Sequence, residues 1–420
     1  MKMRLLIAIL AVVMLTGCGS KNDFSNEETL PEAENVLCET ENVMQKTENE
    51  ELIQPDDLEE TQASDSDENY TAEIEETATV RIVMAGDMLL HTKVSESAHL
   101  ENGSYDYNPI FAHTSDVIRS ADIAMVNEEV IIGGEELGIS GYPSFNAPFE
   151  AGDALVNNGF DVILHATNHA VDKGKRGLVN CMNFWEENYP DIEVLGIHDS
   201  KEDSEQITYI EKNGIRIAIL NYTYGTNGIS LPGDMPWSVD LLKEERVIAD
   251  IKCAEENADF TIVCPHWGTE YNLGITKQQE KWAKIFVANG ADLIIGTHPH
   301  VIEPVQWYED EETGNRALVY YSIGNYVNWT SGTGSGTANR MVGGLADITI
   351  MMDNDNVSIE DYTVHGMVCH LAEGNGNVTT YFLRDYSQEM ASENLMIKQD
   401  PAFSYDYCVE LCNKVWDKWE

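Results

Sequence analysis

Six short apolar runs, separated by helical patterns, constrain the fold of this chain more than any other feature. The runs cover residues 78–85, 121–126, 160–164, 260–264, 291–295 and 317–321. Helical patterns lie between them at 109–120, 147–158, 174–188, 239–257 and 276–289, with Thr276 as a predicted N-cap and Asn289-Gly290 as a predicted stop. Strands that alternate with helices of this length predict an α/β layered fold with a mainly parallel or mixed central sheet.

Each apolar run is followed by side chains of the kinds that bind metal ions. The carboxylate, amide and imidazole groups belong to Asp87, His91, Asn127, Glu128, Glu129, His165, Asn168, His169, Asp172, His266, Glu270, His298, His300 and Asn325. Because ligands collect beyond the carboxyl ends of the strands in such sheets, we expect these side chains to meet at one edge. Oxygen and imidazole donors without a thiolate set suit one or two ions of Mn, Zn, Fe or Mg.

Taken singly, most of these motifs also have ordinary structural explanations. Gly86-Asp87 can be a turn, residues 127–129 a solvated loop, and Asn168-His169 a helix cap with a core histidine. His298-Pro299-His300 is the most specific motif, because two imidazoles flank a proline directly after an apolar run and a glycine. Since all of the motifs follow predicted strands, metal binding is predicted for the set as a whole.

Six motif blocks appear in order along the chain. They are Gly86-Asp87-Met88-Leu89, Asn127-Glu128-Glu129, the segment 168–174, the segment 266–271, the segment 296–301 and the segment 321–326. Together they resemble the CapA family of capsule and poly-γ-glutamate synthesis proteins, which belongs to the calcineurin-like metallophosphatase superfamily. The resemblance covers about residues 79–330 and implies a metallophosphatase-like layered α/β sandwich.

The resemblance also implies roles for individual residues. The implied metal ligands are Asp87, Glu129, Asn168, His266, His298 and His300, and Glu129 stands where the superfamily has a bridging aspartate. His169 is implied to protonate a leaving oxygen, with Asp172 as the second catalytic residue. His91, Glu270 and Asn325 are implied to contact the ligands or the substrate. The sequence departs from the superfamily pattern in the position of His91, four residues after Asp87, and in the glutamate at 129, so two ions, one ion and none all stay open.

The first eighteen residues resemble a bacterial lipoprotein signal. Lys2 and Arg4 precede an apolar run at 5–15 that is too short to span a bilayer, and Leu15-Thr16-Gly17-Cys18 follows at once. Cys18 is therefore the predicted lipid attachment site, and the expected location is the extracytoplasmic face of the cell membrane. An ordinary secretory signal with an incidental cysteine is the alternative.

Charge divides the rest of the chain. The formal net charge of −48 excludes binding to nucleic acid through phosphate contacts. Residues 19–77 carry 20 acidic side chains against Lys21 and Lys46 and are predicted to be a disordered acidic tether before a domain at 78–330. Residues 331–420 are predicted to be an extension packed on that domain, with a Gly/Ser/Thr-rich loop, strands at 345–352 and 357–364, and a helix at 404–419.

Together these features predict a lipid-anchored, extracytoplasmic CapA-like protein. It is expected to act in synthesis, export or anchoring of an anionic polymer such as poly-γ-glutamate, with metal-dependent hydrolysis as one mechanism. Two alternatives stay open at this point. One is an extracellular metal-dependent phosphodiesterase or phosphatase with a phosphoester substrate. The other is a non-catalytic subunit of a membrane polymer-synthase complex.

Replacing the predicted lipidated residue tests the anchor. In a Cys18→Ser variant we expect the protein to leave the membrane fraction, because the acyl chains attached at Cys18 would be its only predicted anchor. Cell fractionation followed by immunoblotting measures this. Retention of the variant in the membrane fraction would show that the lipoprotein interpretation is wrong.

Overall fold

The computed structural model describes residues 77–354, 356–374 and 376–420, so the predicted signal, Cys18 and all but the last residue of the predicted tether at 19–77 lie outside the described residues. The strands are β1 Ala78–Met88, β2 Ile123–Asn127, β3 Val162–Leu164, β4 Glu193–Leu195, β5 Thr208–Lys212, β6 Ile215–Thr223, β7 Phe260–His266, β8 Leu293–Ile295, β9 Val305–Glu309, β10 Arg316–Tyr320, β11 Asn325–Val327, β12 Val342–Asp353, β13 Asn356–Leu371 and β14 Val378–Phe382. The α-helices are α1 Thr92–Ala98, α2 Ser115–Arg119, α3 Phe149–Asn157, α4 Gly174–Asn188, α5 Lys201–Ser204, α6 Glu244–Asn257, α7 Lys277–Ala288, α8 Gln388–Glu393 and α9 Tyr405–Val415. None of these described helices has the length and apolar character that crossing a membrane requires.

The strands form two mixed sheets. The first has the order β14-β13-β12-β1-β2-β3-β4, with β11 also paired to β1, and the second has the order β5-β6-β7-β8-β10-β9. Strands β1 to β4 are parallel, as are β6, β7, β8 and β10, whereas β12 to β14 and the edge strands β5 and β9 join antiparallel. The predicted α/β class with mixed sheets is confirmed, and its strands are divided between two sheets.

Alternating side chains explain why the second sheet needs a layer on each face. Ile217, Ile219 and Ile262 belong to the large core shared with the first sheet. The neighbouring Ala218 and Val263 point the other way, into a smaller core with helices α6 and α7. The Sγ atom of Cys264 lies 3.9 Å from the Sδ atom of Met84, so strand β7 packs directly against β1. A strand buried on both faces reads as a continuous apolar run, which is the pattern seen in the sequence.

The predicted helices at 147–158, 174–188 and 276–289 match α3, α4 and α7 to within two residues at each end. Helix α6 begins at Glu244 and not at 239, and α9 ends at Val415 and not at 419. Thr276 and Gln279 form a reciprocal capping box at the start of α7, which confirms the predicted N-cap. The pattern at 109–120 is instead split into a 3-10 turn at Asn108–Phe111 and the short helix α2. Thr114 lies at the break, and its hydroxyl donates to the Phe111 carbonyl, a local bond that competes with a continuous helix.

Strand β6 is not among the six predicted runs, although it is an inner strand of the second sheet, between β5 and β7. It ends in Asn221-Tyr222-Thr223, so it lacks the carboxylates and imidazoles that mark the other strand ends. Its Asn221 has a structural role, since the amide bonds the Ala166 N–H and the Cys264 carbonyl. The side chain therefore joins the two sheets just behind the edge where the other strands end.

Residues after 330 continue the first sheet. Strand β12 pairs antiparallel with β1 from Ala78 opposite Met352 to Ala85 opposite Leu345. Strands β12 and β13 form the hairpin predicted from 345–352 and 357–364. Helix α9 buries Cys408, Leu411 and Cys412, and the Trp416 indole after it donates to the Glu303 carbonyl at 3.0 Å.

A buried histidine between two carboxylates ties the segment after β4 to the segment before α6. The Nδ1 atom of His198 lies 2.9 Å from Asp203, and its Nε2 atom lies 2.7 Å from Asp240. Burial disfavours the charged imidazole, but the hydrogen bonds and charges of the two aspartates outweigh it and raise the pKa of His198 to about 9.

The stability that this triad contributes should depend on pH. Because the pKa of His198 is raised above its unfolded value of 6.5, its contribution is fully present below about pH 6.5 and is lost as the pH rises through about 9. We expect His198→Gln to lower the free energy of unfolding by on the order of 2 kcal/mol at pH 6 and by much less at pH 9.5. Urea unfolding of both proteins at several pH values measures the difference. Two curves that stay parallel from pH 6 to 10 would contradict the assignment.

Candidate metal centre

The carboxyl ends of strands from both sheets meet at one buried edge. Asp87 ends β1, His266 ends β7, and His298 and His300 follow β8. Glu129 and Asn168 follow β2 and β3 of the first sheet. All six predicted ligands are buried, as are His169 and Asn325. The structure therefore brings together residues that are separated by more than two hundred positions in the chain.

Two groups of ligand atoms share one carboxylate. Asp87, Glu129 and His300 form the first group, and Glu129, His266 and His298 form the second, with the ligand atoms of each group within 4.8 Å of one another. The Oε1 atom of Glu129 lies 3.5 Å from His300 Nε2 and 3.8 Å from His266 Nε2. Glu129 thus lies between the two groups, in the place of a bridging ligand.

The buried atoms of these groups lack the partners that buried polar atoms require. Both carboxylate oxygens of Glu129 and the Nδ1 atom of His298 have no hydrogen-bond partner among the described residues. Burial raises the pKa of Glu129 well above its ordinary value; His300 opposes this shift, and Asp87 adds to it. A divalent cation would provide the missing partner for these atoms. The residues present therefore fit a metal centre with oxygen and imidazole ligands.

Asp87 and Asn325 hold the two histidines of the His298-Pro299-His300 motif. Asp87 accepts hydrogen bonds from the His300 ring at 3.0 Å and from Asn127 Nδ2 at 2.9 Å, and it also faces the His298 backbone N–H. Asn325 donates to the His300 carbonyl, and its Oδ1 atom lies 3.1 Å from His300 Nδ1. His298 and His300 have φ angles of 98° and 58°, a conformation that non-glycine residues adopt at a cost and that here directs both rings into the site.

The second group is positioned through His266. Its Nδ1 atom lies 3.0 Å from the Thr297 hydroxyl, and its Nε2 atom lies 2.9 Å from the Asn168 amide oxygen. Burial lowers the pKa of His266 and of His298 well below the ordinary value, and neighbouring imidazoles add to the shift. Both rings are therefore neutral near pH 7, the form in which imidazole binds a metal.

His169 and Asp172 form a hydrogen-bonded pair beside these groups. The Nδ1 atom of His169 lies 2.6 Å from Asp172 Oδ2, which also accepts the Phe145 N–H at 2.7 Å. The opposite ring nitrogen, Nε2, lies 4.0 Å from Glu129 Oε1. Asp172 thus fixes the ring so that Nε2 faces the candidate metal centre, as general acid–base catalysis requires.

The remaining predicted residues surround the ligands. His91 belongs to neither group of ligand atoms. Burial lowers the pKa of His91 to about 4, and the charges of His300, His169 and Arg340 add to this shift. Glu270 is exposed at the mouth of the site, next to Tyr271, and its charge acts on Glu129. Asn325 holds His300 and is not itself in either group. The functional roles assigned to these residues from the sequence stay predictions.

Four residues near the centre were given no individual role from the sequence. Asn127 and Thr297 orient Asp87 and His266, and both lie inside the quoted motif blocks, which was the available signal. Tyr224 and Arg340 lie in segments without a recognisable motif. The Tyr224 ring lies 4.6 Å from the His298 ring, measured between centroids.

The fold and the site define an α/β protein with a candidate metal centre at the joint edge of two sheets. The family model described as "Bacterial capsule synthesis protein PGA_cap" matches residues 81–330 of the 420. Because the match extends over more than half of the chain, the chain belongs to this family.

Two relatives carry names that agree with the family. "Capsule biosynthesis protein CapA" of Bacillus anthracis is 30% identical over 264 residues, which are 59% of this chain and 60% of that protein. "PGA biosynthesis protein CapA" of Bacillus subtilis (strain 168) is 32% identical over 191 residues, 43% of this chain and 47% of that protein. The chain therefore spans about half to three fifths of the length of these relatives.

Solved structures of phosphoesterases are also similar to the chain. The 5'-nucleotidase precursor from Thermus thermophilus has a TM-score of 0.43 and 14% identity, over 69% of this chain and 54% of that one. The calcineurin-like phosphoesterase YfkN from Bacillus subtilis has a TM-score of 0.38 and 13% identity, over 69% of this chain and 90% of that one. A likeness at this level does not extend to activity.

Adjacent glutamates provide a matched test of the shared ligand. We expect Glu129→Gln to lose most of its bound metal, since both groups depend on this carboxylate. Glu128→Gln should keep its metal, because Glu128 is equally buried but belongs to neither group. Metal content after dialysis against Mn²⁺ or Zn²⁺ and gel filtration measures this.

The thermal stability of the same variants gives an independent readout. Added metal should raise the melting temperature of the wild-type protein and of Glu128→Gln but not that of Glu129→Gln, because only a ligand that binds the folded state stabilises it. Equal metal content and equal metal-induced shifts in both variants would rule out Glu129 as the shared ligand.

Proposed function

We propose that this chain is a CapA-like protein that acts on an anionic capsular polymer such as poly-γ-glutamate through a metal-dependent hydrolytic site. The observation that carries the proposal is the buried Glu129, which has no hydrogen-bond partner among the described residues and is shared by two histidine–carboxylate groups. Membership in the capsule synthesis family supports the polymer as substrate class. The signal-like residues 1–18 support an extracytoplasmic, lipid-anchored location.

We further propose that the centre takes two divalent cations. Asp87, Glu129 and His300 would hold one, and Glu129, His266 and His298 the other, with the Asn168 amide oxygen beside His266 as a further donor. Bound cations of this kind polarise a carbonyl or phosphoryl oxygen and lower the pKa of bound water.

The chain's own residues supply the proton transfer. Asp172 holds the Nδ1–H of His169, so the opposite nitrogen faces the reacting bond. In its protonated form His169 donates from Nε2 to the leaving atom, which is the amide nitrogen of a γ-glutamyl bond or the oxygen of an ester. Phe145 packs its ring against His169, with 4.6 Å between the ring centroids.

The pair of His169 and Asp172 favours hydrolysis over a purely structural role in a membrane complex. A subunit that only held polymer carboxylates would need cations, but it would not need an imidazole fixed by a carboxylate and directed at them. An extracellular phosphodiesterase or phosphatase is the second candidate function, because the same donor set suits a phosphoryl group.

Activity measurements on the purified, metal-loaded protein distinguish these functions. We expect cleavage of poly-γ-glutamate, followed as a fall in chain length by size-exclusion chromatography. His169→Ala should lower kcat by about 10²- to 10⁴-fold while keeping its metal, and Asp172→Asn should lower it less. His298→Ala should lose both metal and activity.

The outcomes separate the candidates clearly. Hydrolysis of bis(p-nitrophenyl) phosphate without polymer cleavage would favour the phosphodiesterase. No bound transition metal and no activity on either substrate with Mn²⁺ or Zn²⁺ would favour the non-catalytic subunit. Unchanged activity in both His169→Ala and His298→Ala would show that the assigned site is wrong.

A further inference from the structure

A guanidinium group at the mouth of the candidate metal centre has no carboxylate partner among the described residues. The Cζ atom of this residue, Arg340, lies 3.5 Å from the centroid of the Tyr271 ring. That ring in turn lies 6.1 Å from the ring of His300, between centroids. The Arg340 carbonyl accepts a hydrogen bond from Asn325 at 2.9 Å, so the backbone of Arg340 is fixed to the residue that holds His300.

Most of the hydrogen-bonding capacity of this guanidinium is not used within the described residues. Its Nη1 atom donates to the Thr330 hydroxyl at 3.1 Å, while its Nε atom is buried without a partner in the part of the chain that the structure describes. Four other arginines, at 81, 176, 246 and 384, lie within 4.0 Å of a carboxylate, and the described residues include no such ion pair for Arg340. A buried donor without a partner requires an explanation.

The absence of a carboxylate partner for Arg340 among the described residues is unexpected because the domain is strongly acidic. Residues 78–420 carry 53 acidic side chains against 21 basic ones, so carboxylates are abundant. Arg216 and Arg316 also stack on aromatic rings, those of Tyr209 and Trp307, but both arginines are exposed. Arg340 is partly buried, stacks on the Tyr271 ring and is hydrogen-bonded to Asn325, the residue that holds His300. It forms no ion pair with a carboxylate of the described residues.

Exposed tyrosines extend this surface around the mouth. Tyr271 is 45% exposed beside His300, and Tyr224 is 38% exposed beside His298. Large aromatic side chains that cluster on an open surface often mark a place where a ligand binds. A chain that crosses the centre would therefore lie between two tyrosine rings, with Arg340 on one side.

We propose that Arg340, held on the face of Tyr271, binds an oxyanion of the substrate next to the candidate metal centre. The planar fork of N–H donors suits a carboxylate or a phosphoryl group, which it can bind through two parallel hydrogen bonds. The inference rests on the proposed function, since it assumes that a substrate occupies the centre. Arg340 binds and orients that substrate and takes no part in proton transfer.

This assignment explains how a strongly acidic domain can accept an anionic polymer. Glu270 lies on the same rim, next to Tyr271, and is exposed. Its negative charge would repel an approaching anion, whereas Arg340 would attract it. The substrate's charged group is thereby directed to the Arg340 side of Tyr271.

Binding measurements on the full, metal-loaded protein test the proposal. The probes are a defined γ-glutamyl tetramer and inorganic phosphate, titrated by calorimetry. We expect Arg340→Gln to weaken binding of at least one probe by about 10- to 100-fold, because a charge-assisted hydrogen bond is lost. Arg340→Lys should lose less, since it keeps the charge but not the fork. Glu270→Gln should tighten binding a few-fold.

The matched control is Arg316→Gln, which removes the same charge from another arginine stacked on an aromatic ring. Arg316 lies at the start of β10, the end of the strand opposite to the site, so this variant should bind both probes as the wild type does. A change limited to the tetramer identifies a carboxylate as the ligand of Arg340, a change limited to phosphate identifies a phosphoryl group, and a change in both identifies their shared oxyanion chemistry.

Two results would overturn the proposal. One is equal affinity of the wild type and Arg340→Gln for both probes, and the other is no binding of either probe to the wild type. Metal content measured on the same samples separates this failure from that of the proposed function. Metal retained with no effect of Arg340→Gln counts against Arg340 alone, whereas absence of bound metal in the wild type counts against the proposed function.

Discussion

The burial of Glu129 is the constraint on which the rest of the site depends. A carboxylate removed from water without a hydrogen-bond partner is costly, and the cost falls only if the group is protonated or meets a cation. Around Glu129 the chain places three imidazoles and a second carboxylate, all buried. These polar neighbours do not form an apolar core, but they form a consistent set of metal ligands. The energetics of this single side chain therefore support a metal centre at this edge of the sheets.

The two-sheet architecture makes that burial possible. Strands β1 and β2 bring Asp87 and Glu129 from the first sheet, and β7 and β8 bring His266, His298 and His300 from the second. The carboxyl ends of these strands coincide because the inner faces of the sheets share one core. Strand β11 adds Asn325, which pairs opposite Asp87 and holds His300 in its strained backbone conformation. The surrounding structure stabilises the strain by several hydrogen bonds, as a preorganised site requires.

The proposed function has to reconcile an acidic domain with an anionic polymer. Long-range electrostatics would repel such a polymer, and salt would weaken that repulsion. Recognition must then come from short-range groups, and the mouth of the site offers the candidate cation ligands, two tyrosine rings and the guanidinium of Arg340. The acidic side chains that would repel the polymer are spread over the domain, whereas the groups that would attract it lie at the mouth of the site. Under the proposed function, this arrangement would favour contact of the polymer with the centre over non-specific adhesion elsewhere.

Local signals in the sequence are enough to predict most of the elements and the chemistry of the ligands. The apolar runs, the α7 capping box and the ligand residues at strand ends are set by local periodicity and local hydrogen bonds. These signals do not identify β6, whose end carries no carboxylate or imidazole, or the division into two sheets. The contact of the Phe145 ring with His169 and the stacking of Arg340 on Tyr271 emerge only when the chain is folded. Those contacts depend on which distant segments pack against one another. The free energy of that packing is a property of the whole folded chain and cannot be assigned to any local segment.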